Sequence, residues 1–177
     1  TYRGTGPFSE PETQIIRDFT NEHEFLLAHN HHCYSDLIII PWGYDEIHTP
    51  DDDFLRTSAS LMASENGYTV GQGWQILYVV NGDACDWMYG EQDSKPKIMP
   101  YLQETGSSSD GFWPSQSRII PLCEDSYLSN LYLARFATPY AELTDNSPQY
   151  ISRTGELEFN LQRMGLSGNG NYTIAIS

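Results

Sequence analysis

The sequence is poor in basic residues, poor in cysteine and without a long apolar run. Only 9 Lys and Arg stand against 24 Asp and Glu in 177 residues, for a formal net charge of -15. Nucleic-acid binding needs a basic face for the phosphates, so that class is excluded. No apolar stretch approaches the roughly 20 residues of a membrane helix. The longest, at 37–42 and 76–80, fall far short of it. Three cysteines, Cys33, Cys85 and Cys123, allow one disulfide at most. Their spacing fits neither a disulfide framework nor a zinc ribbon. No signal-peptide pattern opens the chain and its first residue is Thr1, so a mature, processed or excised piece is expected. What is present argues for a folded chain. Hydrophobic residues make up 39% and aromatics 13%, enough for a sizeable core and against global disorder. The length suits one domain with a short appendage.

Local patterns supply the elements. Ser9 with Glu12 reads as a capping box and Pro11 suits a first turn, so residues 10–22 are expected as a helix presenting Ile15, Ile16 and Phe19. Residues 25–28 are a short apolar run that ends in a polar cluster. Residues 37–40 are continuous and mostly β-branched, as in a strand buried on both faces. Residues 51–53 can cap a second helix carrying Phe54, Ser58, Leu61 and Met62, which Asn66-Gly67 stops. Strands are expected over 75–80, closed by Asn81-Gly82, and over 97–104. Pro121 interrupts any helix over 115–122, so the last helix is expected over 124–136, with Leu128, Leu131, Tyr132 and Phe136 as its stripe.

This alternation predicts an α/β fold, a mixed β-sheet sandwiched by helices. It occupies residues 1–137, and 138–150 read as a linker. Residues 157–161 and 172–176 alternate apolar and polar around the Gly168-Asn169-Gly170-Asn171 turn, so 151–177 are expected to be the first strands of a truncated β-sandwich-like domain.

Three segments could carry chemistry. His29, His31, His32 and Cys33 crowd before the buried strand, and imidazole and thiolate both suit zinc. Neighbours on an extended chain point apart, so the cluster supplies one or two ligands. A polar loop with histidines bonded to backbone is the competing reading. Residues 78–87 place Tyr78 beside a flexible Asn-Gly turn, though Tyr78 and Trp87 could simply pack. Glu104 closes an apolar strand, where desolvation is costly unless it faces a polar cleft, so it is a general-base candidate. A surface Glu at a loop entrance is the alternative.

In order and spacing, these segments resemble the C-terminal part of the catalytic domain of the zinc metallocarboxypeptidase family, of carboxypeptidase A and T type. The resemblance runs from Thr1-Tyr2-Arg3-Gly4 and Ser9-Glu10-Pro11-Glu12 through His32-Cys33-Tyr34-Ser35 and Pro41-Trp42-Gly43-Tyr44. It continues through Tyr78, Gly82, Asp86-Trp87 and Glu104 to the helix ending near Phe136. It implies that His32 is a zinc ligand and Glu104 the base that activates a metal-bound water. A register counted back from Thr105-Gly106 as in the animal branch would put Tyr101 in that place instead. The resemblance also implies that Cys33 and Tyr34 line the substrate cleft and that Tyr78 closes over the substrate. Ile39, Gly43, Leu77, Val80 and Cys85 would line the specificity pocket, with Asp83 on its wall. The family's other zinc ligands come from a His-x-x-Glu motif that this chain lacks. The implied activity is zinc-dependent removal of C-terminal residues from peptides by a secreted or extracellular parent protein. The missing N-terminal part of the domain would complete the site, and the chain alone is expected to be inactive. A non-catalytic peptide-binding relative and a zinc amidohydrolase are the alternatives.

Overall fold

The computed structural model describes residues 4–150 and 153–175. Helix α1 (Pro11–Asn21) begins at Pro11, whose fixed φ and missing N–H suit a first turn. The expected capping box does not form. Glu10 occupies the N-cap, and Ser9 instead accepts from the Thr5 N–H and donates to Glu10. Strand β1 (Leu27–His32) and β2 (Leu37–Ile40) follow, then α2 (Asp52–Met62). Helix α2 buries Leu55, Ser58, Ala59 and Met62, with Phe54 and Leu61 packed at the margin. Strand β3 (Thr69–Gln72) comes next.

The strand expected over 75–80 is not there. A single helical turn, α3 (Gly73–Ile76), takes its start, because the Gln72 and Gln75 side chains cap it reciprocally. Gly71 allows the tight exit from β3, since a Cβ there would stand 2.7 Å from the Ile76 side chain. Helix α4 (Ala84–Gly90) and strand β4 (Met99–Glu104) complete the sheet. Pro100 sits in β4 beyond the end of the β2 pairing, where no ladder donor is lost on that side. Helix α5 (Ile119–Phe136) begins earlier than expected. Pro121 falls in its first turn, where the backbone N–H groups have no intrahelical partner to lose.

The four strands lie in the order β1-β4-β2-β3. β1 runs parallel to β4, β2 antiparallel to β4, and β3 parallel to β2. Helices α2 and α5 cover one face, where Ser58 meets the Tyr101 hydroxyl at 2.6 Å and Gln103 donates to Ser126 at 2.8 Å. The core beneath them joins Ile38, Ile40, Leu55, Met62, Tyr101 and Phe136. Each fully buried aliphatic side chain there contributes roughly 1.5–3 kcal/mol.

The expected linker over 138–150 contains a strand, β5 (Ala141–Asp145), paired antiparallel with β6 (Phe159–Arg163). This ribbon does not open a separate layer. Met164 is buried in the main core, with Tyr140 and Leu166 packed against it. The Leu166 N–H also donates to the Phe136 carbonyl at 2.8 Å. Two strands bury too little alone, and docking on α5 supplies the missing partner surface. Residues 172–175 form no strand, and Ile176 lies outside the described residues.

Candidate active site

The parallel register of β1 and β4 pairs His32 with Glu104 at the ends of both strands. The side chains meet there, His32 Nδ1 standing 4.0 Å from Glu104 Oε1. The imidazole is half exposed, whereas the carboxylate is largely covered and its Oε2 is buried without a partner. Burial pushes the Glu104 carboxyl above its usual range, and the neighbouring His32 partly counters this. Tyr101, three residues earlier, faces the other way, with its hydroxyl buried against Ser58. Strand alternation therefore separates the two candidates for the base, and only Glu104 lies on the His32 side.

The loops beyond these strands are tied together. Ser35 N–H donates to the Gly106 carbonyl at 2.7 Å, and Gly106 has a φ of +89°, a region glycine enters without strain. Beyond it, Asp110 receives two hydrogen bonds from Arg118, which hold its carboxyl down to about 2. Cys33 is exposed, its thiol 3.9 Å from the Phe112 carbonyl. Tyr34 packs edge-on against Phe112, with ring centres 4.9 Å apart. All three cysteines are free.

The pocket candidates assemble in part. Ile38 and Ile40 enter the main core, so Ile39 takes the opposite face of β2. The Gly43 carbonyl accepts from the Val80 N–H at 2.8 Å. Cys85 is buried, and Asn30 of β1 donates to its sulfur at 3.6 Å. Burial first, then Asp83 and Asp86, pushes the Cys85 thiol well up, so it behaves as a neutral, weakly polar wall. Asp83 is the half-buried N-cap of α4. Leu77 and Tyr78 are exposed and are not drawn into this group. An open cavity of about 850 Å³ lies between residues 4–13 and 81–84. Asp83 lines it, but His32 and Glu104 do not.

Two residues without an assigned role in the sequence reading organise the wall. Asn30 reaches Cys85, and Asp86 accepts from the backbone N–H groups of Gly43 and Tyr44 at 2.9 Å each. An Asp in the first turn of a short helix was the available signal for Asp86; nothing in the sequence pairs Asn30 with Cys85. Asp86→Ala strands two backbone donors and is expected to cost about 1–3 kcal/mol, read as a lower urea midpoint at unchanged slope. An unchanged midpoint would show that water replaces the carboxylate.

Among the described residues no three His, Cys, Asp or Glu side chains gather into a metal shell. His32 offers one imidazole beside an orphaned carboxylate oxygen, a donor set that fits one corner of a zinc site and does not complete it.

Comparison with known proteins bears on the family and the fold. The zinc carboxypeptidase family model matches residues 1–129. Mouse carboxypeptidase A4 is 34% identical over 134 residues, covering 72% of this chain and 31% of that protein. Rat carboxypeptidase B is 31% identical over 144 residues, covering 77% of this chain and 34% of that protein. The chain thus spans about a third of the length of these relatives. The structure of bovine thrombin-activatable fibrinolysis inhibitor superposes with a TM-score of 0.67 at 26% identity, covering 75% of this chain and 47% of that one. The carboxypeptidase A of Helicoverpa armigera shares the fold, with a TM-score of 0.65 at 24% identity over 76% of this chain and 36% of that one. The chain belongs to the zinc carboxypeptidase family.

Proposed function

We propose that the full protein removes C-terminal residues from peptides by zinc-dependent hydrolysis. The observation that carries this reading is the His32–Glu104 pair at adjacent strand ends, a ligand type beside a desolvated carboxylate. His32 would hold one corner of the metal, and residues from the remainder of the catalytic domain would complete the shell. Bound zinc would supply Lewis acidity and lower the pKa of a water toward ~7. Glu104 takes the water proton on its carboxylate and returns it to the leaving amine. Its raised affinity for protons brings it nearer to that task. Tyr78, exposed beside the Asn81-Gly82 turn, is free to close over a bound terminus and exclude water. Cys33 and Tyr34 flank the approach to His32.

The chain lacks part of this machinery and is inactive alone in this reading. The test is hydrolysis by the longer protein of a peptide with a free C-terminal carboxylate against its amidated twin, with and without a chelator. Chelator-sensitive cleavage of the free acid alone supports the reading; equal cleavage of both points to an amidohydrolase, and no cleavage with retained binding to a binding protein. Kinship with carboxypeptidases supports a secreted or extracellular setting, which recovery of the protein from the culture medium checks. No helix among the described residues is long and apolar enough to cross a membrane.

The pocket residues suggest a preference. Ile39, Val80 and a neutral Cys85 favour an apolar side chain by ~1.5–3 kcal/mol, whereas a desolvated Lys or Arg needs an anion. Asp83, on the wall, can supply one for some basic substrates. The expected order of kcat/KM places peptides ending in Phe or Leu above those ending in Lys or Arg, and Asp83→Asn removes what basic activity there is. A strong preference for Lys and Arg would refute the apolar floor.

A further inference from the structure

Strand β1 presents different chemistry on its two faces. Asn30 and His32 take the face that carries Cys85 and Glu104. His29 and His31 are out of phase with them and meet α5 instead. His29 Nδ1 and His31 Nε2 each stand 3.3 Å from one atom, Oδ1 of Asn130. Their rings lie 4.2 Å apart, centre to centre. The amide is held in this orientation, because Asn130 Nδ2 donates to the Ser126 carbonyl at 2.8 Å. Its oxygen is therefore the atom turned toward both imidazoles. His29 Nε2, on the far side of the ring, is buried without a partner, which leaves Nδ1 as the nitrogen that faces Asn130.

We infer that His29, His31 and Asn130 form a binding site for a first-row divalent cation such as Zn²⁺, on the face of β1 opposite His32. Imidazole nitrogen suits zinc, nickel and copper, and a carbonyl oxygen can serve as a third donor. The spacing agrees with such a shell. Ligand atoms at roughly 2.0–2.1 Å from a tetrahedral centre lie roughly 3.3–3.4 Å from one another. Both nitrogen-to-oxygen separations already have that length. His31 and Asn130 are exposed at the surface, so water completes the coordination. The third donor is an amide rather than a charged group, which sets a modest affinity and makes it tunable.

The site is tested in the 177-residue chain carrying His32→Ala, which removes the imidazole of the cleft. Zn²⁺ titrated calorimetrically is expected to bind with a stoichiometry of one. Adding His31→Ala, at an exposed position, is expected to weaken binding roughly ten-fold or more. Asn130→Asp, which replaces a neutral donor with a charged one, is expected to tighten it, an outcome that misfolding cannot produce. Imidazole NMR signals of His29 and His31 are expected to move on adding Zn²⁺, while those of His23 and His48 stay. Absence of binding in the His32→Ala chain, binding indifferent to both second changes, or Zn²⁺ binding with the His29 and His31 signals unmoved would each overturn the assignment.

Discussion

Glu104→Gln in the full-length protein is expected to lower kcat by roughly 10²–10⁴-fold, the usual worth of a positioned general base, with bound zinc unchanged. The amide keeps the shape of the carboxylate and cannot accept a proton. It also has no charge to desolvate, so the substitution relieves a burial cost that now raises the Glu104 carboxyl. Stability is therefore expected to hold or rise slightly, which separates a chemical loss from a folding loss. In the parent, the acid limb of kcat/KM is expected to rise with pH as Glu104 gives up its proton. The variant has no such limb in its residual activity. Turnover within a few fold of the parent would remove Glu104 from the chemistry. Tyr101→Phe provides the contrast. Its hydroxyl is buried against Ser58, so the change is expected to reduce stability and leave the pH profile in place.

Periodic elements were legible from residue types, and elements defined by partners were not. The run 37–40 is aliphatic at every position and forms β2, because both faces of an interior strand are covered. The helical periods of α2 and of the second half of α5 are likewise local. The apolar run at 75–80 misled because its side chains do not face the main core. Leu77, Tyr78 and Val79 stand exposed, and the backbone leading into them follows the Gln72 and Gln75 caps. Strand β3 carries Gly71 and two polar residues, and only its pairing with β2 makes it a strand. The alternation over 157–161 marks β6 from the sequence, whereas β5 is a strand only through its pairing with β6. Residue type and position single out Glu104 and the ligand cluster over 29–33, and only the family resemblance selects His32 within that cluster. The contact of His32 with Glu104 depends on the parallel register of β1 with β4, a long-range pairing that local sequence does not encode. The same register explains the separation of Tyr101 from the cleft and the gathering of His29 and His31 under α5.

His29 also makes stability depend on acid in a defined window. Burial first, and then the neighbouring His31, hold its pKa down to about 4 from an ordinary 6.5, while the Asn130 bond works the other way. Between those values the unfolded chain binds a proton that the folded chain refuses, so unfolding gains free energy as the pH falls. This contribution is absent above pH 6.5 and complete below about 4. A shift of that size corresponds to about 3 kcal/mol, a large part of the stability of a domain this size. In chelator-containing buffer, urea midpoints of the 177-residue chain are expected to fall steadily from pH 6.5 to 4. His29→Leu, which fills the same space between β1 and α5 without a titrating group, is expected to flatten that slope most strongly in the upper half of the window. Carboxylates such as Asp110, held down to about 2, act only at the acid end, where their ion pairs begin to be lost. A slope unchanged by His29→Leu would place the acid sensitivity in other groups. It would also show that the folded chain admits a proton at His29 as readily as the unfolded chain does.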